Sequence, residues 1–388
     1  MKDKKALLLL FIIMFLVMVG FGIIIPVLPF FAEEIGATPT ELGLLMAVYS
    51  LMQLLFAPMW GRISDRIGRK PVLLIGIFGL ALSFFLFAIS TELWMLFAAR
   101  IIGGILSSAN MPTSMAYVAD ITTPEDRGKG MGIIGAAVGL GFIFGPAIGG
   151  IFSKVSLNTP FWIAGIVSFV TFVFVFIFLK ESLVKDNEEN ASQGAGTPWQ
   201  TVRGTMGILY FLSLFISFSL AGLEATFAYF AAARAGIDSV NLGYIFMIMG
   251  FAGAAVQGGL VGRLIKKHGE GKVIQVGIIV SVIGFALILL VHDFFTAALF
   301  LTIFGVGNGV IRPAVSSLLT KINSGGYGGV TGVLSSFESL GRILGPPIAG
   351  ALYSILIDLP YITGALISVV AFMLYRVYER KVKVGGSL

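Results

Sequence analysis

GFIFGPAIGG at Gly141–Gly150 and GRILGPPIAG at Gly341–Gly350 are one pattern written twice, 200 residues apart. Independent runs of Leu and Phe would not reproduce a Gly-Pro step inside the same flanking glycines. The likeness extends outward from these stretches. Gly61-Arg62 with Gly68 recurs as Gly262-Arg263 with Gly269, and Met111-Pro112 aligns with Arg312-Pro313. The chain therefore reads as two related halves, and in duplicated membrane bundles the binding site lies near the midplane where the repeats meet.

That the bundles are membrane bundles follows from composition. The chain is 57% hydrophobic and only 12% charged, with a mean hydropathy of +0.97. A soluble domain has about a quarter of its residues charged, so most of this surface faces something other than water. There is no cysteine, which excludes disulfides and thiolate metal sites. The two histidines, His268 and His292, are expected in loops; no metal site, nucleophile–base group or cofactor is expected. The net charge of +6 has a membrane cause rather than a nucleic-acid one, as the placement of the charges shows.

A spanning helix needs about 20 mostly apolar residues. Runs of that kind fall at 6–31, 40–61, 71–90, 93–118, 129–152, 160–180, 204–232, 240–263, 272–291, 294–319, 328–354 and 360–378. The expected fold is all-α, with twelve transmembrane helices in two pseudo-symmetric six-helix bundles. The first run is too long for a signal-peptide core and no small-residue cleavage site follows it, so it reads as a retained helix. With both termini inside, Lys154 and Arg234 are the basic residues of the outer loops, and Arg100, Arg312 and Arg342 lie inside spans. The other 21 of the 26 Lys and Arg are cytoplasmic, as positively charged inner loops require. The polar stretch 181–203, which contains KDNEEN and SQGAGTP, reads as a flexible linker between halves 1–180 and 204–388. Its Asn190-Ala-Ser triplet falls on the cytoplasmic side, where chance explains it better than glycosylation.

Three stretches carry mechanical meaning. GRISDRIGRK, Gly61–Lys70, lies in the inner loop between spans two and three. Gly61 and Gly68 permit a tight turn, Asp65 is suited to a helix N-terminus across the bundle interface, and Arg69 is placed to pair with Asp120. With Arg66 these form a candidate cytoplasmic latch; the plainer account is a set of basic residues obeying the charge rule, which leaves Asp65 and the glycines unexplained. Span five carries Gly132, Gly141, Gly145, Pro146, Gly149 and Gly150. Glycines four apart leave a bare face for close helix packing, and Pro146 favours a kink. Span one carries Gly20 and Pro26-Val-Leu-Pro29, which weaken or end the helix there.

These stretches resemble the motifs of the major facilitator superfamily, and specifically its twelve-helix drug:proton antiporters, resembling Gram-positive quinolone and multidrug efflux pumps of the NorA and Bmr kind. The likeness covers essentially the whole chain, with Ile63 and Ser64 as mild departures in the loop motif. Arg100 with Gly104 is similar to the span-four motif, which implies a part for Arg100 in proton transfer. The span-seven glutamate of such pumps falls on Glu224, within SLAGLEATF, and their span-ten segment falls on Asn308–Ala314. Asn308 stands where relatives can carry an acid. The resemblance implies a proton-coupled exporter of lipophilic, cationic or zwitterionic drugs, driven by the proton gradient with no cofactor. It would be a monomer in the cell membrane, and its partners would be small molecules and lipid.

Charge at membrane depth costs about 2.5–3.5 kcal/mol per residue on insertion scales, so Glu224, Glu338, Arg100, Arg312 and Arg342 are functional candidates. Glu224 has Ser217, Ala221 and Ala228 on its helical face and no base within one turn. It is either a proton-coupling or cation-binding carboxylate, or a neutral packed acid. Glu338 and Arg342 are four apart and share a face; a structural pair is the leading expectation, a switching pair is the other, and Arg312 competes for Glu338. Phe15, Met46, Tyr49, Gln53, Phe142, Phe227, Met247 and Asn308, with Glu224, are candidate linings of an adaptable pocket for apolar cations. Core packing is the alternative for each.

Other classes fare worse. Gly128-Lys129 and Gly271-Lys272 lack the Ser or Thr of a phosphate loop. A channel fits the duplicated halves less well than alternating access does. Within carriers, an exporter of a sugar or other specific metabolite is the second reading.

Overall fold

The computed structural model describes residues 4–123, 125–183, 202, 204–322 and 327–385. Most of the linker expectation, including Asn190, lies outside the described residues. Among the described residues there is no strand. The first half contains α1 (Lys4–Ile24), α2 (Leu28–Glu34), α3 (Pro39–Ile67), α4 (Arg69–Ala88), α5 (Leu93–Ser107), α6 (Asn110–Ile121), α7 (Arg127–Ser153) and α8 (Thr159–Phe178). The second contains α9 (Thr205–Ala235), α10 (Ser239–Ala255), a π-helical segment (Val256–Val261), α11 (Gly262–Ile288), α12 (Phe294–Ile322), α13 (Tyr327–Ile355) and α14 (Leu359–Gly385).

Twelve crossings follow from these lengths. Among the described residues ten segments are long and apolar enough to span a bilayer. One of them, Ser239–Ile288, has 50 residues, roughly 75 Å of helix against a hydrocarbon core of about 30 Å. It turns at Gly269, whose φ of 80° only glycine adopts readily, and so counts twice. The twelfth is α13, 29 residues long, whose hydropathy Glu338, Arg342, Pro346 and Pro347 reduce. His268, expected in a loop, ends the helical stretch before Gly269 and is exposed there.

Prolines shape the ends. Span one stops at Ile24 and resumes as α2 with Pro29 in its first turn. Span four breaks between α5 and α6 ahead of Pro112, which has no N–H to return to the preceding turn. By contrast α7 runs unbroken through Pro146.

Helix pairing is the same in both halves. In the first, α1 packs on α7 and α8, and α4 packs on α5 and α8; in the second, α9 packs on α13 and α14, and α11 on α12 and α14. The repeated glycines account for the equivalent close pairs. A Cβ on Gly145 would stand 2.7 Å from the Gly22 Cα, and one on Gly345 would strike the Phe218 carbonyl. The helices therefore meet backbone to backbone, which no larger residue allows. Two compact units result: Met1–Ala37 with Val48–Glu188 and Asp238–Met247, and Thr38–Ala47 with Glu189–Ile237 and Ile248–Leu388.

Candidate functional site

In the second unit four ionisable side chains gather on α9, α12 and α13. Arg312 Nε and Nη2 donate to Glu338 Oε1 and Oε2, each at 2.8 Å. Such a two-pronged ion pair is among the strongest hydrogen-bonded contacts a protein makes. It is lopsided: the Glu338 side chain is 3% exposed and that of Arg312 66%. The expected Glu338–Arg342 pair is not formed. Arg312 reaches both carboxylate oxygens from the neighbouring helix, whereas Arg342, one turn along α13, interacts electrostatically with Glu338 and with Glu224 and approaches Ser339 Oγ at 3.5 Å.

Glu224 sits on α9, partly buried, with no direct hydrogen bond or ion pair among the described residues; Arg342 is the charge acting on it. The glycines of α13 bring these helices together, since a Cβ on Gly341 would stand 2.6 Å from the Leu214 carbonyl. Ala221 and Ala228, on the same helical face as Glu224, are buried against their neighbours. Two crevices within this unit measure about 10 Å³ each, room for one water. One is lined by Asn308 with Ser219, Ser281 and Ser368. Phe227 is completely buried and packs as core.

In the first unit Arg100 lies between two rings, 5.1 Å from the centre of Tyr49 and 5.2 Å from that of Phe87. The Tyr49 hydroxyl bonds Ser107 Oγ at 2.8 Å and accepts from Gln53 Nε2 at 3.2 Å. Phe142 joins this group through Phe21, whose ring lies tilted against Tyr49 and meets Phe142 edge-on. Phe15 instead meets Phe144. Met247 belongs to this unit and Met46 to the other, and both are partly buried.

Where α3 gives way to α4 in the first unit, Gly68 (φ 109°) ends the turn and sets Arg69 at the start of α4. Arg69 pairs with Asp65, donates from Nε to Asp120 Oδ2 at 3.0 Å, and donates from Nη1 to Ser64 Oγ at 2.8 Å. Arg66 is exposed in the last turn of α3, and Gly61 faces Pro112. Asp65, in the last turns of α3, is thus held by Arg69 across the Gly68 turn. Sequence reasoning missed three members of this cluster. Ser64 is fully buried and donates to the Gly61 carbonyl. The Glu181 carboxylate accepts from the N–H groups of Arg69 and Lys70 at the α4 N-terminus, at 2.8 and 3.0 Å. Ser182 Oγ donates to Asp120 at 2.9 Å. Burial pushes the Glu181 carboxyl up, but four backbone N–H donors (Leu183, Arg69, Lys70 and Ser182) outweigh it and hold the group below the usual carboxylate range.

The second half repeats this anchor with its charges exchanged. After Gly269 comes Glu270, which pairs with Lys321 and accepts from Ser317 Oγ at 2.9 Å. Arg69 and Asp120 each map onto these residues at an offset of 201, so the reversal was readable from the repeat.

Along α7, Gly141, Gly145 and Gly149 press against Met18, Gly22 and Ile23 of α1, while a Cβ on Gly132 would meet nothing. Gly150 faces the Ser239 and Val240 backbone, and Ser153 Oγ bonds Ser239 Oγ at 2.7 Å. No cluster able to hold a metal ion occurs among the described residues.

A duplicated twelve-helix bundle with glycine-packed equivalent helices, a buried charge network in one half and a glycine-turned loop anchor is the architecture of a membrane transporter. The chain belongs to the Major Facilitator Superfamily, whose profile it matches over residues 10–261 and 254–387. It is 33% identical to Multidrug resistance protein 1 of Bacillus subtilis over 362 residues, covering 93% of this chain and 92% of that one. It is 28% identical to Quinolone resistance protein NorA of Staphylococcus aureus (strain COL) over 388 residues, 98% of this chain and 99% of that one. Among solved structures it is similar to the human organic anion transporter MFSD10 (TETRAN), with a TM-score of 0.69 and 27% identity, covering 96% of this chain and 99% of that one. The nucleoside transporter NupG shares the fold, with a TM-score of 0.79 at 16% identity over 97% and 99% of the two chains.

Proposed function

We propose that this protein exports small lipophilic drugs, cationic or zwitterionic, in exchange for protons, by alternating access. It would act as a monomer in the plasma membrane with both termini in the cytoplasm and with no cofactor beyond the proton gradient. The observation that carries the reading is Glu224: a carboxylate on a membrane-spanning helix with no ion-pair partner among the described residues, acted on by one arginine. Such a group takes up and gives back a proton as its surroundings change. Drug export is supported by full-length similarity to Multidrug resistance protein 1 and NorA. The Arg69–Asp65–Asp120 cluster serves as the cytoplasmic anchor of the moving parts, and Arg312, Glu338 and Arg342 tune the coupling acid.

The test uses purified protein in liposomes with an imposed pH gradient and ethidium as cargo. Wild type should accumulate the dye against its gradient. Glu224→Gln should lose gradient-driven accumulation while still binding ethidium. Undiminished accumulation by that variant would remove Glu224 from the coupling step. Inhibition by a sugar, with indifference to lipophilic cations, would favour a metabolite exporter instead.

A further inference from the structure

Span eight carries one residue more than its repeat. Gly43 and Gly243 are equivalent and lie 200 residues apart: a Cβ on Gly43 would strike the Pro346 carbonyl, and one on Gly243 would stand 2.5 Å from the Pro146 carbonyl. Gly61 and Gly262, farther along the same two segments, are 201 apart, as are Gly68 and Gly269. The extra residue therefore falls between Gly243 and Gly262. The corresponding stretch of α3 is α-helical throughout, whereas Val256–Val261 is π-helical. A turn closed by i→i+5 bonds holds one residue more than an α turn, so it absorbs an insertion without rotating the helix beyond it; such turns are frequent at functional sites.

This turn carries Gln257, whose Nε2 donates to the Gly309 carbonyl of α12 at 3.2 Å. That carbonyl lacks its ordinary helical partner, because the residue four places on is Pro313, which has no N–H. The first half meets the equivalent proline differently. There the helix breaks between α5 and α6 ahead of Pro112. The Ala109 N–H turns to the Leu106 carbonyl, and the Ile105 carbonyl accepts from Trp60 Nε1 and Ser108 Oγ, each at 2.7 Å. In the second half α12 runs unbroken through Pro313. Arg312, beside the proline, is the residue that holds Glu338 by two hydrogen bonds, so its aim depends on that helix staying whole. We infer that Gln257 is a positioning residue: it replaces the hydrogen bond that Pro313 removes, keeps α12 continuous, and so holds Arg312 on Glu338. Its consequence for transport rests on the export reading above; its consequence for α12 does not.

The experiment is a cycle of four full-length, detergent-purified proteins: wild type, Gln257→Met, Pro313→Ala and the double variant. Alanine restores the N–H that the Gly309 carbonyl lacks, so the need for Gln257 should vanish with the proline. In hydrogen–deuterium exchange, Gln257→Met should speed exchange across residues 309–318 by about fivefold, the worth of one hydrogen bond in an opening equilibrium. The double variant should exchange as Pro313→Ala does. Equal acceleration in both backgrounds, or none in either, would overturn the inference. In liposomes with an imposed pH gradient, Gln257→Met should slow ethidium accumulation by about threefold or more and leave the KM for the dye within about twofold. Adding Pro313→Ala should bring the rate to that of Pro313→Ala alone; a rate that Gln257→Met leaves unchanged would remove Gln257 from the positioning of Arg312. Failure of wild type to accumulate ethidium would sink the export reading alone, because the exchange cycle needs no gradient.

Discussion

The lopsided burial of the Arg312–Glu338 pair makes an unequal prediction for its two members. Arg312→Met leaves a 3% exposed carboxylate without the two charged hydrogen bonds that satisfied it. Breaking a buried pair in this way costs about 3–5 kcal/mol. Arg342 still acts on Glu338, so the lower end, ~3 kcal/mol, is expected. Glu338→Val leaves an arginine whose side chain is 66% exposed and can turn to other partners, so the loss should be smaller than for Arg312→Met. The double variant installs the residues that the first half carries at the equivalent positions, Met111 and Val138. It should be more stable than Arg312→Met alone, because removing both members leaves no charge stranded. An unfolding entropy of about 2.1 cal/mol/K per residue makes 3 kcal/mol worth roughly 4 °C for a chain of 388 residues. Thermal unfolding of the four proteins in one detergent reads this directly. The reasoning fails if Glu338→Val is the worse single change, or if the double variant is no better than Arg312→Met.

Glycine packing predicts a contrast along equivalent helices. Gly345→Ala should destabilise by about 1–3 kcal/mol, because its Cβ strikes the Phe218 backbone, whereas Gly132→Ala, with open space around it, should leave melting temperature and transport unchanged; equal effects would refute the packing argument. Glu181 predicts an acid-side loss. Its folded pKa is depressed, so its stabilising contribution is full above the unfolded value and disappears as pH falls through the folded one; Glu181→Gln should lower the melting temperature at pH 7 and flatten its decline into acid, and parallel wild-type and variant pH curves would exclude the cap.

The fold was legible because bilayer thickness sets a run length and glycines repeat where helices touch. Twelve apolar runs and the pair of Gly-Pro stretches sufficed for it. Partner choice was not legible. Glu338 and Arg342 are neighbours by helical periodicity, yet the contact that forms spans two helices, and its length depends on how closely those helices approach. Ser64 looked like a departure from a motif and is a fully buried support for Arg69. Glu181 looked like the first residue of a linker and caps a helix more than a hundred residues earlier in the chain. Phe15 and Phe142 shared an expected pocket, but Phe15 turns to Phe144. Residue type announced a role in each case, and packing chose the partner.

The backbone repeat and the charge pattern part company at membrane depth. The first half holds one ionisable candidate there, Arg100, and the second holds two acids and two bases, Glu224, Glu338, Arg312 and Arg342. With Glu224 ionised, the interior charges of the second half cancel; with Glu224 protonated, they leave one positive charge. Arg100 is a fixed cation, because guanidinium holds its proton at any physiological pH. On the proposed function, one half presents a constant charge and the other a charge that a proton switches. A proton carried across 100 mV is worth about 2.3 kcal/mol, roughly a fifty-fold concentration ratio. On that reading the gain enters through the change of charge at Glu224, which is why neutralising it should uncouple transport without preventing binding.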